Sequence, residues 1–329
     1  MQNWSQKFHL VLMMKTAVLA IGGNAILHAG EEATLQNQMQ NLRETCTHLA
    51  RMIRSGYDMV LTHGNGPQVG DILLQNELAR DSIPSMPLDV CVAESQGQLG
   101  YMIQLALTEA LAKEGIRKVV TCVLTRVVVD ADDPGFERPT KPVGPYYTEE
   151  EAEVAKRTRG WEFILDIKRG GYRRVVSSPR PIGIVECGGI RRLVFGGEDQ
   201  AEVVVAAGGG GIPVIAKDGY YVGVEAVVDK DLAAAVLAIS IKEKLFIMLT
   251  DVDNVYMDYS SKEPRPIKEI RLAELERLYD QGQFPAGSMG PKVEAAIMFL
   301  KNGGELVIIT SAGKLEAALK GEAGTQILP

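Results

Sequence analysis

The chain has 329 residues and a formal net charge of −7, an acidic balance that disfavours a nucleic-acid binder, which would need a basic face. Its length allows one large α/β domain with an excursion, or two domains. No apolar stretch is long enough to cross a bilayer, and four scattered cysteines without a C-x-x-C pair fit reduced thiols of a cytoplasmic protein rather than a disulfide or metal framework.

Residues 1–13 read as an extension ahead of a domain spanning 14–329, with Met13 or Met14 as the expected usual start. Thr16 to Ile21 is an apolar run with the character of a buried strand. Gly22-Gly23-Asn24 follows it, and the pair of glycines fits either a tight turn or a cradle of backbone N–H groups for phosphate. Leu35, Met39, Leu42, Cys46, Leu49 and Ile53 recur at spacings of four and three, which predicts a helix ending at Gly56.

Tyr57 to Thr62 predicts the second strand. After it comes Gly64-Asn65-Gly66-Pro67, where two glycines free the backbone to turn its N–H groups outward. Pro67 suits the first position of a helix running from Gln68 to Ala79. The bare N-terminus of such a helix favours an anion. A long helix over about 90–113 and a third strand from Val119 to Val129 follow.

From Asp130 to about Arg192 the alternation breaks down. The stretch is rich in proline, charge and aromatic residues, and it is longer than unstructured loops in compact domains usually are. It reads as a small protruding subdomain over about 130–192, able to move over a site. The segment Gly189 to Gln200, with Gly196-Gly197 interrupting an expected helix, is less regular.

Glu202 to Ala207 predicts another strand, ending in Gly208-Gly209-Gly210-Gly211. Such a run suits a flexible linker, but apolar residues on both sides favour close approach of backbone to a ligand. Asp229-Lys230-Asp231 sets a cation between two carboxylates ahead of a helix over Asp231 to Ile241. Two readings stay open: a helix cap, or a lysine that clamps a phosphoryl group. Leu245 to Thr250 is a strand, and the acidic turn through Thr250, Asp251 and Tyr256 could hold a base and ribose or merely cap the next element.

Helices are predicted over Leu272 to Tyr279 and Pro291 to Lys301, and a strand over Leu306 to Thr310. Lys292 sits in the first helical turn, against the macrodipole, which makes it a functional candidate. Strands alternating with helices imply a mostly parallel sheet covered on both faces, a three-layer α/β/α sandwich. Ligands of such sheets sit beyond the carboxyl ends of the strands, where these glycine turns lie. Anion-seeking turns and separately delivered lysines point to phosphoryl transfer, which needs positioning and charge cancellation more than covalent help.

Six stretches in order, Leu19–Ala25, Thr62–Gly70, Pro139–Pro145, Gly208–Val214, Gly223–Asp231 and Gly287–Lys292, resemble the carbamate kinase branch of the amino-acid kinase family. The resemblance spans nearly the whole chain from Thr16. It implies an open α/β sandwich, homodimeric, that exchanges a phosphoryl group between ATP and carbamate, giving ADP and carbamoyl phosphate. It also implies Mg²⁺ carried by the nucleotide rather than a protein metal site, and use in ATP synthesis during arginine breakdown.

Residue by residue, Lys141 matches a lysine on the carbamate side. Lys230 and Lys292 match lysines of the transferring phosphoryl group, and Asp231 an aspartate that organises the site. Gly22, Gly23, Asn24, Gly64, Asn65 and Gly66, with Gly209 and Gly210, fall in the phosphate and substrate loops. Thr250, Asp251, Tyr256 and Met289 fall in the nucleotide region. Many relatives place a lysine just before the first Gly-Gly; here the stretch reads Leu19-Ala20-Ile21, and Lys141 is the natural substitute for the missing charge.

Overall fold

A computed structural model describes residues 14–28, 30–166, 170–196, 202–258, 263–285 and 289–329. The expected N-terminal extension, and Gly197, Gly287 and Ser288 of the stretches above, lie outside the described residues.

In chain order the elements begin with β1 (Thr16–Ile21), α1 (Leu35–Arg54), β2 (Asp58–His63), α2 (Gly66–Ala79), α3 (Leu88–Lys113), β3 (Val120–Cys122) and β4 (Arg126–Val129). Next come β5 (Lys141–Tyr147), α4 (Glu149–Arg159), β6 (Glu162–Asp166), β7 (Gly171–Val176), β8 (Pro181–Ile184) and α5 (Cys187–Phe195). Then follow β9 (Val203–Val205), β10 (Ile212–Lys217), β11 (Tyr220–Gly223), α6 (Lys230–Ile241), β12 (Leu245–Thr250), β13 (Val255–Met257), β14 (Arg265–Ile267) and β15 (Glu269–Arg271). The chain closes with α7 (Leu272–Asp280), α8 (Met289–Lys301), β16 (Leu306–Ser311), α9 (Leu315–Leu319) and β17 (Thr325–Leu328).

The main sheet has the order β15-β17-β16-β12-β1-β2-β9-β3. Every pairing in it is parallel except β16 with β17. Side chains alternate across it as the pleat requires. Val18 and Ala20 of β1 join Phe246 and Met248 of β12 in a core roofed by α6 and α8. Leu19 and Ile21, with Ile247 and Leu249, face the other way into a core built with α1 and α3. Phe246 and Phe299 meet edge to face across the first core, with ring centroids 5.5 Å apart. Two covered faces make the three layers expected from the alternation of elements.

One expectation needs correction. The run from Val119 to Val129 is not a single strand: β3 ends in the main sheet, and β4 enters a second sheet of order β11-β10-β4-β8. The break is made by distant groups. Gln96 Oε1 of α3 accepts from Thr125 N at 2.9 Å, and Thr125 Oγ1 accepts from Ala207 N at 2.9 Å. The run carries no glycine or proline to break it, and bonds from distant residues hold the chain where it turns.

Within the stretch set apart above, β5, β7 and β6 form a separate antiparallel sheet with α4 beside it. Thr148 and Glu151 close a capping box at the start of α4, and Gly160 ends it in the left-handed conformation. At the far end of the stretch β8 pairs with β4, and Ile190 and Val194 of α5 are buried in the α6–α8 core. α5 stops at Phe195, with Gly196 at its C-cap.

Candidate active site

Four turns converge because their strands are neighbours. Gly22–Asn24 follows β1, Gly64–Gly66 follows β2, Thr250–Asp251 closes β12, and Gly208–Gly211 follows β9; in the sheet these strands stand side by side as β12-β1-β2-β9. A cleft of about 1120 Å³ opens over their carboxyl ends, the place where ligands of open α/β sheets bind. Gly22, Gly23, Asn24, Gly64, Asn65, Gly66, Lys141, Gly209, Lys230, Asp231, Thr250, Asp251 and Lys292 line it.

At its centre one carboxylate takes two lysines from different elements. Lys230, the first residue of α6, donates to Asp231 Oδ1 at 2.6 Å, and Lys292, in the first turn of α8, donates to Asp231 Oδ2 at 2.8 Å. Both Asp231 and Lys292 are buried. Burial works against the Asp231 carboxylate, but the two ammonium groups outweigh it and hold the carboxyl well below the usual range. Burial pushes Lys230 down to about 8, with the Lys292 charge adding to the shift and Asp231 opposing it. Burial also opposes the charge of Lys292, yet Asp231 prevails and raises that lysine. A carboxylate shared in this way leaves ammonium charge at the floor of the cleft.

The third lysine arrives from the separate sheet. Lys141, the first residue of β5, donates to Asp229 Oδ2 at 2.7 Å. The other Asp229 oxygen accepts from Asp231 N at 2.9 Å and Leu232 N at 3.3 Å, so Asp229 is also the N-cap of α6. Cap and charge partner are therefore one residue, and the helix-cap reading of Asp229-Lys230-Asp231 is the one the geometry shows directly. The motif offers Asp229 as a helix cap and not as the partner of Lys141. Its signal was the carboxylate–cation–carboxylate spacing, but its partner lies 88 residues away.

The glycines have individual reasons. A Cβ on Gly64 would lie 3.3 Å from Lys230 Cδ, where that side chain passes towards Asp231. A Cβ on Gly22 would lie 3.2 Å from the Leu249 carbonyl oxygen, where β1 and β12 run together. The run Gly208–Gly211 is packed against protein: added methyl groups would strike His63, Asn65, the Val228 carbonyl and Val127, in that order along the run. Gly209 still reaches the cleft wall, whereas Gly210 is not among its lining residues.

Around this floor Asn65 Nδ2 donates to Ser95 Oγ at 2.8 Å, and Gln96 Nε2 donates to Gly208 O at 2.9 Å. Asn24 Nδ2 reaches Asp251 Oδ2 at 3.3 Å, and Thr250 Oγ1 donates to Asp251 Oδ1 at 3.0 Å, linking the turns of β1 and β12. Two expected nucleotide residues stand apart. Tyr256 lies on the β13–β14 hairpin, Met289 opens α8 against the apolar core, and neither lines the cleft.

The parallel sheet, the glycine turns at its carboxyl edge and the lysines gathered on Asp231 together define a phosphoryl-transferring α/β enzyme. A model of the amino acid kinase family matches residues 15–311, and the chain belongs to that family. The resemblance carried by the ordered motifs is borne out. The chain is 46% identical over 319 residues to the carbamate kinase of Pyrococcus furiosus, covering 96% of this chain and 100% of that one. Among solved structures it is similar to carbamate kinase from Giardia lamblia bound to AMP-PNP, with 42% identity, a TM-score of 0.87 and coverage of 96% of this chain and 99% of that one. The same enzyme bound to citric acid gives 41% identity and a TM-score of 0.89, with coverage of 96% and 99%.

Proposed function

We propose that this chain catalyses reversible phosphoryl transfer between ATP and carbamate, giving ADP and carbamoyl phosphate. The observation that carries this reading is the pair of lysines on Asp231, with Lys141 delivered beside them by a separate sheet. Carbamate is already an anion, so its oxygen needs no strong general base. What opposes the reaction is repulsion between two anions and the charge spread over the migrating phosphoryl group. Preorganised cations lower both costs.

In this scheme Lys230 and Lys292 hold the phosphoryl oxygens, and Asp231 keeps both ammonium groups in place. Backbone N–H groups of the Gly22–Asn24 and Gly64–Gly66 turns surround the phosphate and carbamate, and Gly209 closes that wall. Lys141 takes the carbamate side. Thr250 and Asp251 lie on the nucleotide side, with Tyr256 and Met289 as outer contacts reached by the nucleotide.

Mg²⁺ carried by the nucleotide would supply positive charge that offsets its phosphates. Asp229 and Asp231 are both engaged by lysines, which fits an ion carried by the nucleotide better than one caged by protein. The stretch over about 130–192 serves as a protruding subdomain whose sheet brings Lys141 to the acceptor.

A homodimer is supported by exposed Tyr101 and Leu105, one turn apart on α3, beside β3 at the edge of the main sheet. No described helix is long and apolar enough to cross a membrane, in keeping with a cytoplasmic enzyme that makes ATP in arginine catabolism. The deciding experiment is formation of ATP from ADP and carbamoyl phosphate by the purified protein, beside a panel of other small-acid acceptors with ATP. Transfer to another acid with none to carbamate would overturn the reading.

A further inference from the structure

Three lysines in the cleft have carboxylate partners, but a fourth cation that lines it does not. Arg173, on β7, is among the lining residues together with Lys141 and Tyr146. Its Nε is buried and has no hydrogen-bond partner. No carboxylate pairs with it among the described residues, and its guanidinium lies over the Tyr146 ring with the carbon 5.0 Å from the centroid. A buried guanidinium N–H left without an acceptor is costly, and such a group calls for an explanation.

The strand supplies part of that explanation. Successive residues of a strand point to opposite faces. Arg174 takes the face that carries Val143 and Val176, where it stacks on Trp161 with its guanidinium carbon 4.0 Å from the ring centroid, beside Tyr147 and Phe163. Arg173 takes the cleft face. The pairing of β5 with β7 slips between Val143 and Tyr146, so that Val143 faces Arg174 and Tyr146 faces Arg173. That irregularity sets the Tyr146 ring beside Arg173, on the same sheet that delivers Lys141.

We propose that Arg173 is an oxyanion-binding residue of the acceptor side of the cleft. It takes the phosphoryl oxygens of carbamoyl phosphate or the carboxylate of carbamate. A planar fork of N–H donors matches either group in a way that an ammonium does not. The ring of Tyr146 holds the fork in place before the anion arrives. This inference rests on the function proposed above for the same cleft and adds a residue that the motifs did not contain.

The test compares the full-length protein with Arg173→Gln and Arg173→Lys, and with Arg174→Gln as the control from the other face of the strand. Arg173→Gln is expected to raise KM for carbamoyl phosphate about tenfold or more, as loss of one charged hydrogen bond would, with KM for ADP within twofold. Arg173→Lys should recover only part of that loss, and Arg174→Gln should leave both constants within twofold. Unchanged KM for carbamoyl phosphate in Arg173→Gln, or an equal rise in both constants, overturns the proposal.

A second arm needs no turnover. Inorganic phosphate and bicarbonate, a close mimic of carbamate, are titrated against the thermal midpoint of each protein. Loss of the phosphate-induced rise in Arg173→Gln assigns the phosphoryl oxygens to Arg173, and loss of the bicarbonate-induced rise assigns the carboxylate. Retention of both, or no rise in the wild type, overturns the proposal. If the wild type makes no ATP from carbamoyl phosphate, the functional reading fails and this second arm alone judges Arg173.

Discussion

Gly70 of α2 and Gly144 of β5 meet backbone to backbone: a methyl group added to Gly70 would stand 1.9 Å from Gly144 Cα. Gly144 has a φ of 73°, a conformation that glycine adopts without strain. The contact seats the β5–β7–β6 sheet against the wall of the cleft, three residues beyond Lys141. Gly70→Ala cannot be relieved by a flexible side chain, so α2 and β5 must part, and overpacking of this kind costs about 1–3 kcal/mol. Lys141 should lose its place beside Asp229. The expected result is a rise of about tenfold in KM for carbamoyl phosphate with KM for ADP unchanged; steady-state kinetics showing no such split would remove Gly70 from this role.

Asp229 performs two tasks that substitution can separate. Asparagine caps a helix about as well as aspartate, so Asp229→Asn should keep the stability of α6 while Lys141 loses its charge partner. Asp229→Ala loses both and should cost about a further 1 kcal/mol of stability. Denaturant unfolding and KM for carbamoyl phosphate, measured on both variants, check this. Equal stability of the two variants would show that the cap contributes nothing.

Replacement of Lys230 or Lys292 by alanine should lower turnover about 10²–10³-fold, as loss of one preorganised electrostatic donor does. Because both lysines share Asp231, the double variant should fall short of the summed single losses. A folded Lys230→Ala protein with near-wild-type turnover would refute the assignment.

Lys230 also predicts a pH dependence. Its ordinary value is 10.5, and in the folded protein it is lowered to about 8, chiefly by burial. Only the protonated form attracts a phosphoryl group, so kcat/KM should fall as pH rises through about 8. Bound phosphate adds negative charge beside the ammonium, so the same limb in kcat should lie at higher pH. A profile flat to pH 9.5 in both parameters would contradict this.

On the acid side the relevant group is His63, buried beneath the Gly208 turn. Burial lowers it from 6.5 to about 4, against a smaller opposing effect of its bond to the Gly64 carbonyl. In the unfolded chain it gains a proton near its ordinary value, whereas in the fold it stays neutral until about pH 4. Stability from this residue is therefore whole above pH 6.5 and is lost as pH falls towards 4, an effect of about 3 kcal/mol. His63→Gln should flatten the dependence of unfolding free energy over that window, as followed by urea titrations at several pH values.

Much of the molecule was legible from local pattern. Buried strands announce themselves as apolar runs, and the helix over Leu35–Arg54 as a stripe at spacings of three and four, because burial on one face needs only the period of the element. Glycine with proline or asparagine marks a turn for equally local reasons. Hence the parallel sheet, the convergence of turns at its carboxyl edge and the candidacy of Lys230 and Lys292 followed from residue order, whereas Lys141 came from the family resemblance; Lys230 and Lys292 do meet at one carboxylate. The hairpin of β10 with β11 was not legible, and the short strands β13, β14, β15 and β17 are too brief to show a period.

Tertiary structure decided everything that depends on partners far apart in the chain. It split Val119–Val129 through bonds from Gln96 and Ala207, packed Gly208–Gly211 against His63 and Asn65, and paired Lys141 with Asp229. It also left Arg173 facing the cleft with an unmet N–H while Arg174 found Trp161. The type of a residue and its neighbours along the chain set which structure it can join. Which oxygen an ammonium finally meets is set by crossovers and register, and these emerge only when the layers close.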